Sequence, residues 1–151
     1  MASQNPAKVH GLGEIAIRCA DLAPMVAFYR DMVGLTPLKE FPESRIAFFR
    51  IAPGHGGHTT VLALFDARAE QRDFHDQGEE PPRAGATSTL HHLALAVDYG
   101  QQDALCAFLS EKGIAYTVQD FAWIGWRGVF IKDPEGNTVE FVAGVPGDPI
   151  A

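Results

Sequence analysis

Four pairs of residues in this chain stand 79 positions apart and match in character: Val26 and Leu105, Tyr29 and Phe108, Gly34 and Gly113, Leu35 and Ile114. A little upstream, Glu14 and His92 are 78 apart, each opening an apolar run of strand length. A nearly constant offset across a strand, a helix and the glycine that stops it is an internal repeat, and it constrains the fold more tightly than any local propensity. The chain of 151 residues is then two copies of one supersecondary unit, each too small to bury a core alone.

Each copy reads as βαβββ. In the first, EIAIRC is a strand with Ile15, Ile17 and Cys19 on one face. Asp21 is placed to cap the helix of DLAPMVAFYRDMVG, Pro24 is tolerated in its first turn, and Gly34 ends it. LTPLKEF, SRIAFFRIA and TTVLALF follow as strands. In the second, HLALAV is a strand, GQQDALCAFLSEKG a helix, and IAYTVQDF, WRGVFIKD and NTVEFVA the three strands. The turn DPEGN, with Pro134 and Gly136, joins the last two. Residues 67–88, rich in charge, proline and small side chains, are expected to be a polar linker between modules at 10–66 and 89–143.

The net charge of −7 argues against a nucleic-acid partner, because phosphate binding needs a basic face. No apolar stretch approaches the roughly 20 residues of a membrane span, and the N-terminal MASQNPAKVHG lacks the apolar run of a secretory signal. Cys19 and Cys106 lie in apolar segments without CxxC spacing. They read as reduced core thiols, which suits a cytoplasmic protein.

Chemistry enters through strand alternation. Glu14, Ala16 and Arg18 share a face, as do His92, Ala94 and Ala96, and as do Thr138, Glu140 and Val142. Each strand puts one metal-competent side chain on the face away from its larger apolar residues, and on the two leading strands alanines leave space beside it. One imidazole nitrogen and two carboxylates suit Mn, Fe, Ni, Co or Zn, and such an ion offsets the cost of burying the carboxylates. Glu14, His92 and Glu140 are therefore the candidate metal ligands. A metal-free arrangement competes with this one. The DPEG hairpin would set Val129 opposite Glu140 with Arg127 diagonal to it, and Arg18 shares a face with Glu14, so two arginines could neutralise the two carboxylates.

The stretches EIAIRCADLAPMVAFYRDMVGL, HHLALAVD and WRGVFIKDPEGNTVEFV together resemble the vicinal oxygen chelate superfamily, whose members include glyoxalase I, extradiol dioxygenases and the fosfomycin- and bleomycin-resistance proteins. The resemblance covers residues 10 to 143. It implies an α+β fold of two βαβββ modules, their mixed sheets curled into half-barrels, and a homodimer with cups completed across the interface. The family's second-half histidine falls on His92 and its last-strand glutamate on Glu140. Glu14 stands where the family usually has histidine, and Leu62 or Ala63 where glyoxalase I has a fourth ligand. Those two departures argue against glyoxalase I activity itself.

The implied function is a divalent-metal-dependent enzyme that chelates adjacent oxygens of a small substrate, of isomerase, lyase, transferase or dioxygenase type, with Glu14 also serving as the base. Trp126, Arg127 and Arg18 are the expected substrate contacts. The competing function is a non-catalytic drug-binding protein of the bleomycin-resistance type, its cup metal-free and lined by aromatics. His91 points to the other face, with a structural role or a place at an interface. His55 and His58 belong to a solvated glycine-rich turn, and His75 to the linker.

Overall fold

The computed structural model describes residues 10–54, 59–68, 90, 92–123 and 125–147. His55, His58, His75, His91 and nearly all of the 67–88 stretch lie outside the described residues.

The first module runs β1 (Glu14–Cys19), α1 (Leu22–Ala27), β2 (Thr36–Phe41), β3 (Ile46–Pro53) and β4 (Thr59–Asp66). The second runs β5 (Leu93–Ala96), α2 (Gln102–Glu111), β6 (Thr117–Phe121), β7 (Trp126–Lys132) and β8 (Thr138–Gly144). α1 continues as a π-helical turn over Phe28–Met32, and a 3-10 turn over Tyr99–Gln101 leads into α2. Each module makes one four-stranded mixed sheet, ordered β1-β4-β3-β2 and β5-β8-β7-β6, in which only the leading strand pairs in parallel. The sheets are open rather than closed, and this is the two-module βαβββ architecture the repeat predicts. Gly34 and Gly113 both stop their helices with positive φ, 82° and 69°, a backbone that favours glycine.

The strand alternation sorts each sheet into two faces. Ile17, Cys19, Ala47, Phe49, Leu62 and Leu64 are buried on the helix side of the first sheet. Leu93, Leu95, Val129, Ile131, Val139 and Phe141 do the same in the second, and the two sets merge into one core. The opposite faces are open, with Ala16, Ala94 and Ala96 exposed.

Polar bonds also cross between the modules, and they come from the DPEGN turn. Asp133 Oδ1 accepts the backbone N–H groups of Glu135 and Asn137, each at 2.9 Å, which shapes the turn. Its Oδ2 accepts the Tyr29 hydroxyl at 2.8 Å from the helical segment of the first module. Burial, followed by the Asp133 charge and hydrogen bond, holds the Tyr29 hydroxyl far above the usual phenol range, so it stays a donor. Glu135 reaches the same helix: its two oxygens accept Ala20 N at 2.6 Å and Asp21 N at 3.1 Å. Asp21 occupies the N-cap position but its side chain makes no cap bond. The expected side-chain cap is thus corrected: a carboxylate from the other module instead binds the two backbone N–H groups that lead into the helix.

Candidate metal centre

His92 and Glu140 are brought together. His92 Nε2 lies 3.2 Å from Glu140 Oε2. Glu140 is held there by the register of β8: its Cα partner on β5 is Ala94, and its partner on β7 is Phe130. His92 stands one residue before β5, beside the start of β8. The Glu140 carboxylate is buried, while the His92 side chain is about one-third exposed, at 36%. The floor around them is made of small residues, Ala94, Ala96 and Gly128, with Val142 on the same face. An aromatic wall rises on one side. The Phe130 ring meets His92 edge-on with centroids 6.4 Å apart, and Phe121 meets Phe130 at 6.2 Å. Trp126 shares this face at the far end of β7, half-exposed, opposite Phe121.

Glu14 does not join the pair within one chain. It opens β1, on the other sheet, exposed, with Val61 as its Cα partner. Among the described residues no three His, Cys, Asp or Glu side chains converge. The register also settles where a fourth ligand would stand. Ala16 pairs with Ala63, as Ala94 pairs with Glu140, so the first-module counterpart of Glu140 is Ala63 rather than Leu62.

The register corrects a second expectation. Phe130, not Val129, lies opposite Glu140, because all five residues of DPEGN form the connection and Lys132 pairs with Thr138. Shifting a hairpin by one residue exchanges the faces of the strand. Arg127 therefore faces α2, not the cup. Its guanidinium lies 3.3 Å from Asp103 and 5.8 Å from the Tyr99 ring centroid. It neither neutralises Glu140 nor lines the space beside it. Arg18 remains on the Glu14 face of β1, half-buried.

Two residues near the pair were not anticipated. Gln102, fully buried at the start of α2, donates Nε2 to the carbonyls of Arg127 at 2.9 Å and Phe141 at 3.0 Å, tying the helix to β7 and β8 beside Glu140. Gly128 sits in mid-strand against the Glu140 carboxylate. A glycine interrupting the run WRGVFIK is the signal that could have found it, since strand-interior glycines mark close approach.

The donor chemistry fits a divalent ion in part. His92 and Glu140 supply one imidazole nitrogen and one carboxylate, a hard–borderline pair suited to Mn, Fe, Co, Ni or Zn. The small floor leaves room beside them for further ligands. An open groove of about 590 Å³ also exists, lined by Asp21, Arg30, Arg45, Asp66 and Arg68 among others, but it lies on the helix side of the first sheet. Its one buried carboxylate, Asp66, is already held by Arg68 in two hydrogen bonds of 2.8 and 2.7 Å.

Comparison with known proteins agrees with the fold. Residues 11–141 match the model of the Glyoxalase/Bleomycin resistance protein/Dioxygenase superfamily. No curated protein sequence matches the chain. Among solved structures, lactoylglutathione lyase from Agrobacterium tumefaciens is 24% identical, with a TM-score of 0.67 over 93% of this chain and 96% of that one. A glyoxalase/dioxygenase from Nostoc punctiforme is 25% identical, with a TM-score of 0.66 over 95% and 97%. A mutant of the fosfomycin resistance protein FosX from Listeria monocytogenes, complexed with Mn(II) and 1S,2S-dihydroxypropylphosphonic acid, is 16% identical with a TM-score of 0.64 over 92% and 94%. At such identities the lyase and FosX likenesses speak for the fold.

Proposed function

Because the chain belongs to the Glyoxalase/Bleomycin resistance protein/Dioxygenase superfamily, we infer that it is a divalent-metal-dependent enzyme acting on a small substrate with adjacent oxygens. His92 and Glu140 would hold the metal, and Glu14 of a second copy would complete the set across a homodimer interface. The observation that carries this reading is the 3.2 Å approach of His92 to a buried Glu140 over an alanine and glycine floor. A buried carboxylate whose nearest partner is an imidazole is costly unless charge compensates it, and a cation does so.

Bound there, the metal would act as a Lewis acid toward the substrate's oxygens. The chain's own residues would do the rest. His92 and Glu140 fix the position of the chelated end. Phe130, Phe121 and Trp126 exclude water along one side, and Arg18 offers a cation on the Glu14 strand. Glu14, exposed on its own sheet, is free to accept a proton on its carboxylate oxygen and return it to a neighbouring atom. The protein would work in the cytoplasm, where Cys19 stays reduced; burial raises its thiol well above the usual range and keeps it unreactive.

A second reading is favoured by one specific observation: the aromatic run Phe121–Phe130–His92, with Trp126 beside it, lines an open apolar face. In that reading the protein sequesters a small molecule without metal. Thermal melting separates the two. A metal that binds only the folded state adds about 2.7 kcal/mol at a hundredfold excess over Kd. Mn, Ni, Co or Zn should raise the melting temperature, and His92→Ala should abolish the rise. Equal melting of the wild type with and without metal would leave the binding protein as the better reading.

A further inference from the structure

The geometry points to Gly128 as the positioning residue of the His92–Glu140 pair, through the side chain it lacks. This rests on the proposed metal reading but adds a residue outside the ligand set. A Cβ built on Gly128 would stand 2.4 Å from Glu140 Oε1 and 2.8 Å from Phe130 Cε2. Real Cβ atoms do not approach so closely, so any other residue at 128 would have to move both groups. The backbone there is ordinary strand, paired with Val142 on β8 and Gln119 on β6, and Gly128 is not among the positive-φ glycines. Backbone freedom is therefore not what glycine supplies at this position; space is.

That space serves both members of the pair. One Glu140 oxygen lies over Gly128, which leaves the other, Oε2, turned to His92. The tip of the Phe130 ring fills the rest of the gap, and the same ring meets His92 edge-on. Filling the gap displaces Glu140 directly and removes the ring that flanks His92. Both displaced groups are side-chain ends, so the strand can stay in register and the variant should fold. What changes is the direction of the carboxylate.

The test compares the full-length wild type with Gly128→Ala, Glu140→Ala and the double variant. Mn(II) and Ni(II) affinities are measured by calorimetry, and apo melting by circular dichroism. In Gly128→Ala the metal affinity should fall by about 10- to 100-fold, the usual effect of losing a group that orients a ligand. Apo melting should show coupling: Gly128→Ala lowers the melting temperature in the wild type by more than in the Glu140→Ala background, where the carboxylate is no longer in the way. Metal binding in Gly128→Ala within twofold of a metal-binding wild type would overturn the assignment. So would equal melting losses in the two backgrounds. A wild type that binds neither ion would refute the metal reading instead, and the melting cycle would still decide whether Gly128 seats Glu140.

Discussion

Ala63 and Glu140 hold the same place in the two modules. Each is the Cα partner of the alanine in the leading strand, Ala16 and Ala94, and each lies opposite a phenylalanine across the hairpin, Phe48 and Phe130. The repeat has kept the scaffold and the aromatic neighbour while placing a ligand-competent side chain in the second copy alone. Glu14 and His92 open β1 and precede β5 in the same way. With Glu14 on one sheet and the pair on the other, the three residues can share an ion only if two modules face each other, and the open faces within one chain do not bring them together.

Mixing two inactive variants checks this arrangement. In the proposed homodimer, Glu14→Ala and His92→Ala should each bind metal poorly. After subunit exchange, half of the dimers are mixed and each has one site with all three ligands, so about a quarter of all sites should recover. Metal titration of the mixture reads that fraction. No recovery would place Glu14 in the same chain as its partners, or outside the site altogether.

Arg127→Ala should leave metal affinity unchanged. Its guanidinium pairs with Asp103, whose side chain is 88% exposed, so the loss of stability should stay below about 1 kcal/mol. The hairpin register puts Arg127 on the helix side of β7. Period-two alternation identifies β7 and β8 and the DPEGN residues identify the turn, yet whether the turn consumes four or five residues decides which face carries Glu140's neighbour. Asp133 takes the fifth residue into the turn by accepting both Asn137 N–H and its amide. That count is set by hydrogen bonds and not by the hydrophobic pattern. The helices, their glycine stops and all eight strands follow from that pattern within a few residues. Glu140's burial against His92 does not, because it depends on Gly128 and on how two separate strands line up.

Tyr29→Phe should destabilise the protein by about 1–2 kcal/mol, since it removes a buried hydrogen bond to a charged acceptor while Asp133 keeps its bonds from the turn. Glu135→Gln should cost less, because Ala20 N and Asp21 N can still find an amide oxygen. Urea denaturation of both variants gives the comparison. A larger loss for Glu135→Gln would mean that the cap, rather than the tyrosine latch, holds the modules together.

Acid stability should depend on Asp66. The Arg68 guanidinium, hydrogen-bonded to both of its oxygens, holds the Asp66 carboxyl at about 2, below the ordinary 3.8. A carboxyl with a depressed folded pKa adds stability above its unfolded value and loses it as pH falls through the folded one, so this contribution is complete near pH 5 and gone below about pH 2. A shift of that size corresponds to about 2 kcal/mol, and since Arg68 is 61% exposed, solvent screening should reduce it to about 1 kcal/mol. Asp66→Asn removes the titrating group. Its unfolding free energy should lie below the wild type's at pH 6 by about that amount, and the two curves should converge as the pH drops from 4 toward 2. A constant gap over the same range would mean that the Arg68 pair contributes shape but no charge to the fold.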